Sequence, residues 1–461
     1  MWYYHLRSSD NENITYFVDY RRLSHEERNL LEIDNGYRSE EARLADASYQ
    51  MWQKGLMKND LNLQLNINPQ KKSIRNLEIF KGTVVRIDDS VFITDIEDNY
   101  RFIRRYFNVI HSYYILFLRL FSLNNPFREI WGFCKAFKVK RIDPCRRNVT
   151  ELDKADYDKF ESRLLKVRPK VSVIIPTLNR YEYLKDVLAD LEKQDYNNFE
   201  VIVCDQTKPL DRKFYEGWKF PLKLIEQEDE ALWLARNRSI KDSTGEYILL
   251  FDDDSRVDPD WISSHLKCID YYKCDISSGI SLSRIGGKIP LNYSYFRWGD
   301  QVDTGNVMFY KQTMLDTGMF DRQFERQRQG DGEYGLRAYL CGMTNVSNPL
   351  AKRIHLKVST GGLRQTGNWD ALRPTKFFAP RPVPSILYLS RKYFGNNKAR
   401  LLLLINMPSS VVPYKYKDNR KKQLLYMLSF VVTFPVIVAQ AAVSWHKASL
   451  KLKEGDKIER L

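Results

Sequence analysis

Residues 249–261 read LLFDDDSRVDPDW. A short apolar run stops abruptly at three adjacent carboxylates, Asp252, Asp253 and Asp254, and Asp258 and Asp260 follow close behind. Neighbouring like charges repel, and a buried strand gains nothing by ending in three of them. The arrangement asks for a positive partner. A divalent cation supplies one, because hard carboxylate oxygens suit Mg²⁺ or Mn²⁺ and the ion cancels the repulsion. Mg²⁺ commonly takes only one or two protein carboxylates and completes its shell with water and phosphate oxygens. A nucleoside diphosphate is therefore the natural second partner.

The sequence around this stretch has a regular texture. Val171–Ile175 reads as a buried strand and Tyr181–Lys193 as an amphipathic helix. Phe199–Val203 and Leu222–Ile225 read as strands, Leu232–Asp242 as a helix and Tyr247–Phe251 as a strand. Strands alternating with helices of this length imply an α/β fold built on a mainly parallel sheet. Ligands of such sheets sit beyond the carboxyl ends of the strands. Three strand ends carry polar groups: Pro176-Thr177-Leu178-Asn179-Arg180, Asp205-Gln206-Thr207 and the Asp252–Asp254 run. A lone carboxylate after a strand is often only a helix cap, so Asp205 by itself says little. Three in succession are harder to assign to capping.

The order of motifs resembles a known family. VSVIIPTLNR (171–180), VIVCDQT (201–207), ARNRSIKDSTGEYILLFDDD (235–254), TGMFDRQF (317–324), GDGEYGLRAYLCG (330–342) and His355 are together similar to the family 2 glycosyltransferases of GT-A fold. The resemblance covers about residues 168–360. It implies that the loop with Pro176, Thr177 and Asn179 lines a nucleotide pocket, and that Asp205 contacts the base, usually uracil. Arg236 would face the base or the diphosphate, and Asp252–Asp254 would be the DxD motif, with Asp254 the direct metal ligand, Asp252 sharing the ion and Asp252 and Asp253 close to the nucleotide. His355 matches a position that often adds a metal or diphosphate contact. Asp331, six residues before Arg337, matches the acid of the ED motif and would be the general base that deprotonates an acceptor hydroxyl. The implied reaction is transfer of a sugar from a nucleotide donor, a UDP-sugar by preference, with inversion and with Mn²⁺ or Mg²⁺ as cofactor.

Three departures from the family pattern stand out. Gly330 replaces the usual Glu of ED, Cys204-Asp205-Gln206-Thr207 replaces the usual DDGS, and no QxxRW motif is present. The last, with the lack of a multi-helix membrane region, argues against a processive synthase. Simpler roles compete at several positions. His355 could be a structural histidine, Asp331 a surface acid, and Glu333 and Arg337 a pair across one helical turn. A non-catalytic nucleotide- or sugar-binding protein on the same fold is the alternative to an enzyme, and the intact DxD, Asp331 and Arg236 argue against it.

The rest of the chain bounds the setting. Its 461 residues suggest two to four structural units. The reading divides it into an N-terminal region 1–165 with no recognisable motif, a catalytic region 166–376, and a helical region 377–461. In the first, 81–96 alternates like a hairpin and 101–121 is spaced like one aromatic-rich helix, while 151–170 reads as a charged linker. The net charge is 73 − 58 = +15, which favours an anionic partner. The basic residues are dispersed and no zinc-finger, RNP-like or basic-zipper pattern occurs, so no nucleic acid is expected. The six cysteines form no CxxC pair and read as reduced structural thiols. No signal peptide is expected from the N-terminal sequence. Residues 424–445, LLYMLSFVVTFPVIVAQAAVSW, are uncharged and about the ~20 residues needed to cross a bilayer. Pro435, Gln440 and Ser444 leave three readings open: a kinked span, an interfacial helix or a buried one. Flanking basic residues fit the cytoplasmic face of a cell membrane, where the acceptor would be a glycan or a lipid-linked sugar.

Overall fold

The structure, a computed structural model, describes residues 20–55, 95–145, 152–283, 290–299, 301–341, 343–358, 361–363, 372–374, 379–413, 416 and 419–461. They form two compact units: one holds the described residues up to Glu161 with 290–298, the other those from Ser162 to 283 and from 299 onward.

The larger unit is built on a mixed sheet. Its strands are β1 (Val171–Thr177), β2 (Phe199–Asp205), β3 (Leu222–Glu226), β4 (Tyr247–Phe251), β5 (Ser255–Val257), β6 (Ile276–Ser283), β7 (Asn306–Tyr310) and β8 (Asn345–His355). They lie in the order β3-β2-β1-β4-β7-β6-β8-β5. β3, β2, β1 and β4 run parallel, as the alternation of strands and helices requires. Every residue of β1, β2 and β4 is buried, which is why each reads as a continuous apolar run rather than an alternation.

Beyond β4 the sheet departs from the mainly parallel expectation. β7 is antiparallel to both β4 and β6, β8 returns parallel to β6, and β5 runs antiparallel to β8. The connection Asp252–Asp254 bears on one of these: a parallel crossover needs a dozen or more residues, so β5 does not return parallel beside β4 and lies at the far edge. There Ser255 pairs with His355, which brings the end of β8 to the aspartates.

One apolar core joins this sheet to the C-terminal helices. Ile174, Ile248, Leu250 and Phe309 pack with Phe320 and Tyr334, and with Leu387, Tyr388 and Ala448 of the helices Pro384–Asn406 and Arg420–Glu454. Residues 379–461 therefore belong to the unit of the sheet rather than to a region of their own. The uncharged run divides in two. From Ile437 onward the helix is seated, with Ile437, Ala441 and Ala448 buried and Ser444 Oγ donating to the Pro382 carbonyl at 2.6 Å. Leu424, Leu425, Leu428, Val431, Val432 and Phe434 are exposed.

In the smaller unit, 101–121 is two helices rather than one. Ile96–Tyr106 ends at Phe107, whose backbone is extended, and Asn108 caps Val109–Phe121 by accepting from His111 N at 2.7 Å. The expected hairpin over 81–96 lies outside the described residues except Asp95 and Ile96, which open the first of these helices. The linker expected over 151–170 contains two short helices, Leu152–Lys159 and Arg163–Val167. A buried polar cluster organises this unit: Asp46 accepts from Tyr37 and Tyr106 and pairs with Arg105 at 3.3 Å.

Candidate active site

Each of the three carboxylates after β4 meets a different set of positive groups. Asp252 accepts from Arg236 Nη2 at 3.1 Å and from Arg353 Nη1 at 2.7 Å, one at each oxygen. Asp253 accepts from Thr177 Oγ1 and Arg180 Nη1, both at 2.8 Å. Asp254 lies 3.3 Å from Arg180 Nη1 and 3.3 Å from His355 Nε2. The arginines come from the loop after β1, the helix Leu232–Lys241 and β8.

These partners set the acidities. Burial pushes all three carboxyls up. At Asp252 the fields of Arg353 and Arg236 outweigh it and hold the group well below the usual carboxylate range. At Asp254 the hydrogen bond from His355 does the same to a lesser degree. At Asp253 burial prevails over Arg180, and the group rises to about 6. Asp253 is thus tied into the wall, while ligand atoms of Asp252, Asp254 and His355 converge within 4.8 Å of one another.

These groups face a cavity of about 340 Å³ lined also by Pro176, Arg236, Asp303, Asp331 and Arg353. Arg236 is fully buried, stacks over the Trp233 ring at 5.3 Å and donates to the Thr304 carbonyl at 2.9 Å, while its Nε has no partner. Arg353 bridges two acids, reaching both oxygens of Asp303 at 3.0 Å as well as Asp252. Asp331 stands in the first turn of the helix Gly330–Leu340, its Oδ1 held by the Gly332 N–H at 2.8 Å. Burial raises its carboxyl, and Asp303 adds to that against Gly332 N–H and Arg236.

Other motif residues hold the walls in place. Asn237 clamps the backbone of Phe320 through both its amide atoms, at 3.0 Å each. Arg337 is fully buried and donates to the carbonyls of Thr317, Gly318 and Met319. Glu333, the rival acid, pairs with Arg337 through both oxygens at 3.0 Å and accepts from Tyr393. It is not among the residues lining the cavity. Gly330 has a steric reason: a β-carbon there would lie 2.2 Å from the Trp233 ring, so the usual Glu does not fit beside this tryptophan.

The expected nucleotide-contact residues separate. Pro176 lines the cavity, and Thr177 reaches it only through Asp253. Asn179 adopts a left-handed conformation, φ 54°, and its N–H donates to Thr207 Oγ1. Asp205 is buried, with Oδ2 accepting from Tyr181 at 2.8 Å and Tyr215 at 2.7 Å and Oδ1 accepting from Thr207 N. Its carboxylate ties the end of β2 to the helix Tyr181–Leu191 and to the Tyr215 turn, and Asp205 is not among the residues lining the cavity. Sequence reasoning left Arg180 without a role and missed Asp303 and Arg353. Only Arg353 carried a signal: two residues before His355 on a strand, it shares that residue's face.

Residues 172–328 match the model of glycosyl transferase family 2. The glycosyltransferase GlyA of Streptococcus pneumoniae is 25% identical over 35% of this chain and 22% of its own length. The glycosyltransferase AglE of Haloferax volcanii is 30% identical over 27% of this chain and 41% of its own. The poly(ribitol-phosphate) beta-N-acetylglucosaminyltransferase TarS of Staphylococcus aureus is 29% identical over 23% of this chain and 20% of its own. The matched stretches thus span between about a fifth and two-fifths of these relatives. A solved mannosyltransferase from Pyrobaculum calidifontis, in complex with GDP-Man and Mn²⁺, overlaps 65% of this chain and 92% of its own at 15% identity, with a TM-score of 0.39. Residues 172–328, which hold the DxD run and Arg236, are thus a glycosyl transferase family 2 region.

Proposed function

We propose that this protein transfers a sugar from a nucleotide diphosphate donor, a UDP-sugar by preference, to a hydroxyl of a glycan or lipid-linked acceptor with inversion. The observation that carries the reading is the convergence of Asp252, Asp254 and His355 in one cavity with Arg236, Arg353 and Asp331. Two carboxylates and an imidazole suit Mn²⁺ or Mg²⁺. Charge supports the fit. The lining holds five carboxylates (252, 253, 254, 303, 331) against four guanidiniums (180, 236, 328, 353), an excess of one negative charge that a divalent ion turns into an excess of one positive charge for the diphosphate to meet. Asp254, Asp252 and His355 would hold the ion, which supplies Lewis-acid neutralisation of the donor's diphosphate.

The chain's own groups do the rest. Asp331, kept basic by burial, takes the acceptor's proton as the hydroxyl attacks the anomeric carbon. Arg236, which lines the cavity and is fixed on Asp252 and the Thr304 carbonyl, supplies a preorganised positive charge toward the departing diphosphate. The name of TarS supports a polymeric acceptor, and the names of GlyA and AglE support glycosyl transfer in general.

The protein works at the cytoplasmic face of the membrane. Of the helix Arg420–Glu454, only the part before its seated half is free to enter lipid. About 15 residues rise ~22 Å, short of the ~30 Å hydrocarbon core, so this part lies in the interface. Arg420, Lys421 and Lys422 at its start suit anionic headgroups.

A panel of nucleotide sugars screened for Mn²⁺-dependent hydrolysis tests the donor, and calorimetry with UDP tests the site. Asp254→Ala should abolish Mn²⁺-dependent UDP binding. Unchanged UDP affinity in that variant, with metal still required, would overturn the assignment.

A further inference from the structure

The smaller unit presents an apolar surface that the transferase reading does not use. The helices Val109–Phe121 and Pro126–Ala136 form a hairpin against Ile96–Tyr106. Ser112, Ile115 and Leu118 face inward from the first, and Gly132, Phe133 and Ala136 from the second. On the opposite face Ile110, Tyr113, Phe117 and Phe121 recur at spacings of three and four, a single helical stripe turned to solvent. The tip is the most apolar part. Phe121 is 71% exposed, Leu123 94% and Phe127 85%. Leu123 is held there in a left-handed conformation, φ 58°, which is uncommon for a leucine.

Charge along the hairpin itself is mostly of one sign, with Glu97 of the preceding helix accepting from Trp131 Nε1 at 2.6 Å. From Phe107 to Ile142 the sequence contains one acid, Glu129. That acid is buried, pairing with Arg119 at 2.7 Å and accepting from Tyr100. Arg128, Lys135, Lys138, Lys140 and Arg141 are all exposed, and Lys135 lies over the Trp131 ring at 4.5 Å. Monomeric soluble surfaces rarely carry so large a contiguous apolar patch. Exposed aromatic and aliphatic side chains rimmed by an excess of cations are the composition of a face that enters lipid while its lysines reach the headgroups.

We infer that the hairpin 109–141 is a second membrane-seating surface, which inserts Phe121, Leu123 and Phe127 into the interface of an anionic leaflet. This inference does not depend on the transfer reaction. The occupant is a lipid surface rather than a second copy of the chain, because two like-charged faces would repel.

The test uses the full chain carrying L428E/V431E/V432E, which removes the exposed apolar stretch of the C-terminal helix. Flotation is measured with vesicles of phosphatidylcholine alone and with ~30% phosphatidylglycerol. This chain should float with the anionic vesicles, weakly with neutral ones, and lose binding at 1 M salt. Adding F121E/L123E/F127E should lower flotation at least tenfold, with circular dichroism unchanged. Because all four sites are exposed, R128E/K135E/K138E/K140E added instead to the same L428E/V431E/V432E chain should fold and weaken the preference for anionic vesicles. Flotation unaffected by either set, equal binding to both vesicle types, or no flotation of the parent variant would each overturn the inference. So would a change from dimer to monomer by sedimentation velocity with vesicle binding intact, since the patch would then join two copies.

Discussion

Asp331 and Glu333 stand two positions apart on one helix and have opposite electrostatic fates. Glu333 is enclosed by Arg337, Tyr393 and Lys392, and against the effect of burial these hold its carboxyl down at about 2. Asp331 has only a backbone N–H as a close partner, and burial raises its carboxyl. A base must be able to accept a proton, and of the two only Asp331 combines that capacity with a place on the cavity. Asp331→Asn keeps size and hydrogen bonding, so UDP and metal binding should stay nearly intact while transfer falls by ~10²–10⁴-fold, as for a lost general base. Steady-state transfer measured beside calorimetry separates the two effects. Transfer at the native rate in Asp331→Asn would remove Asp331 from the reaction.

At the scale of the element, the helix Gly330–Leu340 works as a strut. Its Glu333–Arg337 pair, one turn apart, fastens the helix to the carbonyls of 317–319, and Asn237 fastens the next residue of that loop to the helix Leu232–Lys241. Removing one partner of a buried pair strands the other, at a cost of about 3–5 kcal/mol. Glu333→Gln should therefore lower the urea midpoint strongly, and any loss of transfer should follow the folded fraction. The pair also sets a pH window. Because the folded carboxyl titrates near 2 and the ordinary value is 4.5, its stabilisation is complete above about 4.5 and is lost as pH falls toward 2. The native protein should lose stability over that interval and Glu333→Gln should lose less of it. Parallel pH–stability curves would sink this account.

At the scale of the molecule, the C-terminal helix serves two environments. Its second half shares a core with the sheet, through Ala448 and the stacking of Arg391 on Trp445 at 4.3 Å. Deleting the helix would open that core, so removal cannot report on membrane binding alone. L428E/V431E/V432E leaves the seated half untouched. It should shift the chain from the membrane fraction toward the soluble one while thermal unfolding stays within ~2 °C, since surface substitutions are usually within ±0.5 kcal/mol. Unchanged partition would make the exposed half irrelevant to attachment.

Much of the larger unit was legible in one dimension. The apolar strands 171–177, 199–205 and 247–251, the helices between them and the aspartate run follow from local patterns, because strand burial and helical amphipathicity are written in consecutive residues. Asp254, Arg236, Asp331 and His355 were likewise singled out by their motifs, and all four line one cavity. What local pattern does not encode is partnership across the sheet. The antiparallel β7 and the far-edge β5 are set by pairing between distant segments, and that pairing brings Arg353 and Asp303 to Asp252. The same holds for two acids that look alike in sequence: only the packing of Tyr181 and Tyr215 around Asp205, and of Arg337 and Tyr393 around Glu333, decides which partners their oxygens meet. The uncharged run was equally two-valued. Its composition permits burial or lipid, and the core around Ala448 takes one half and leaves the other outside. Composition states what a side chain can do, and tertiary neighbours decide which of its atoms remain available to do it.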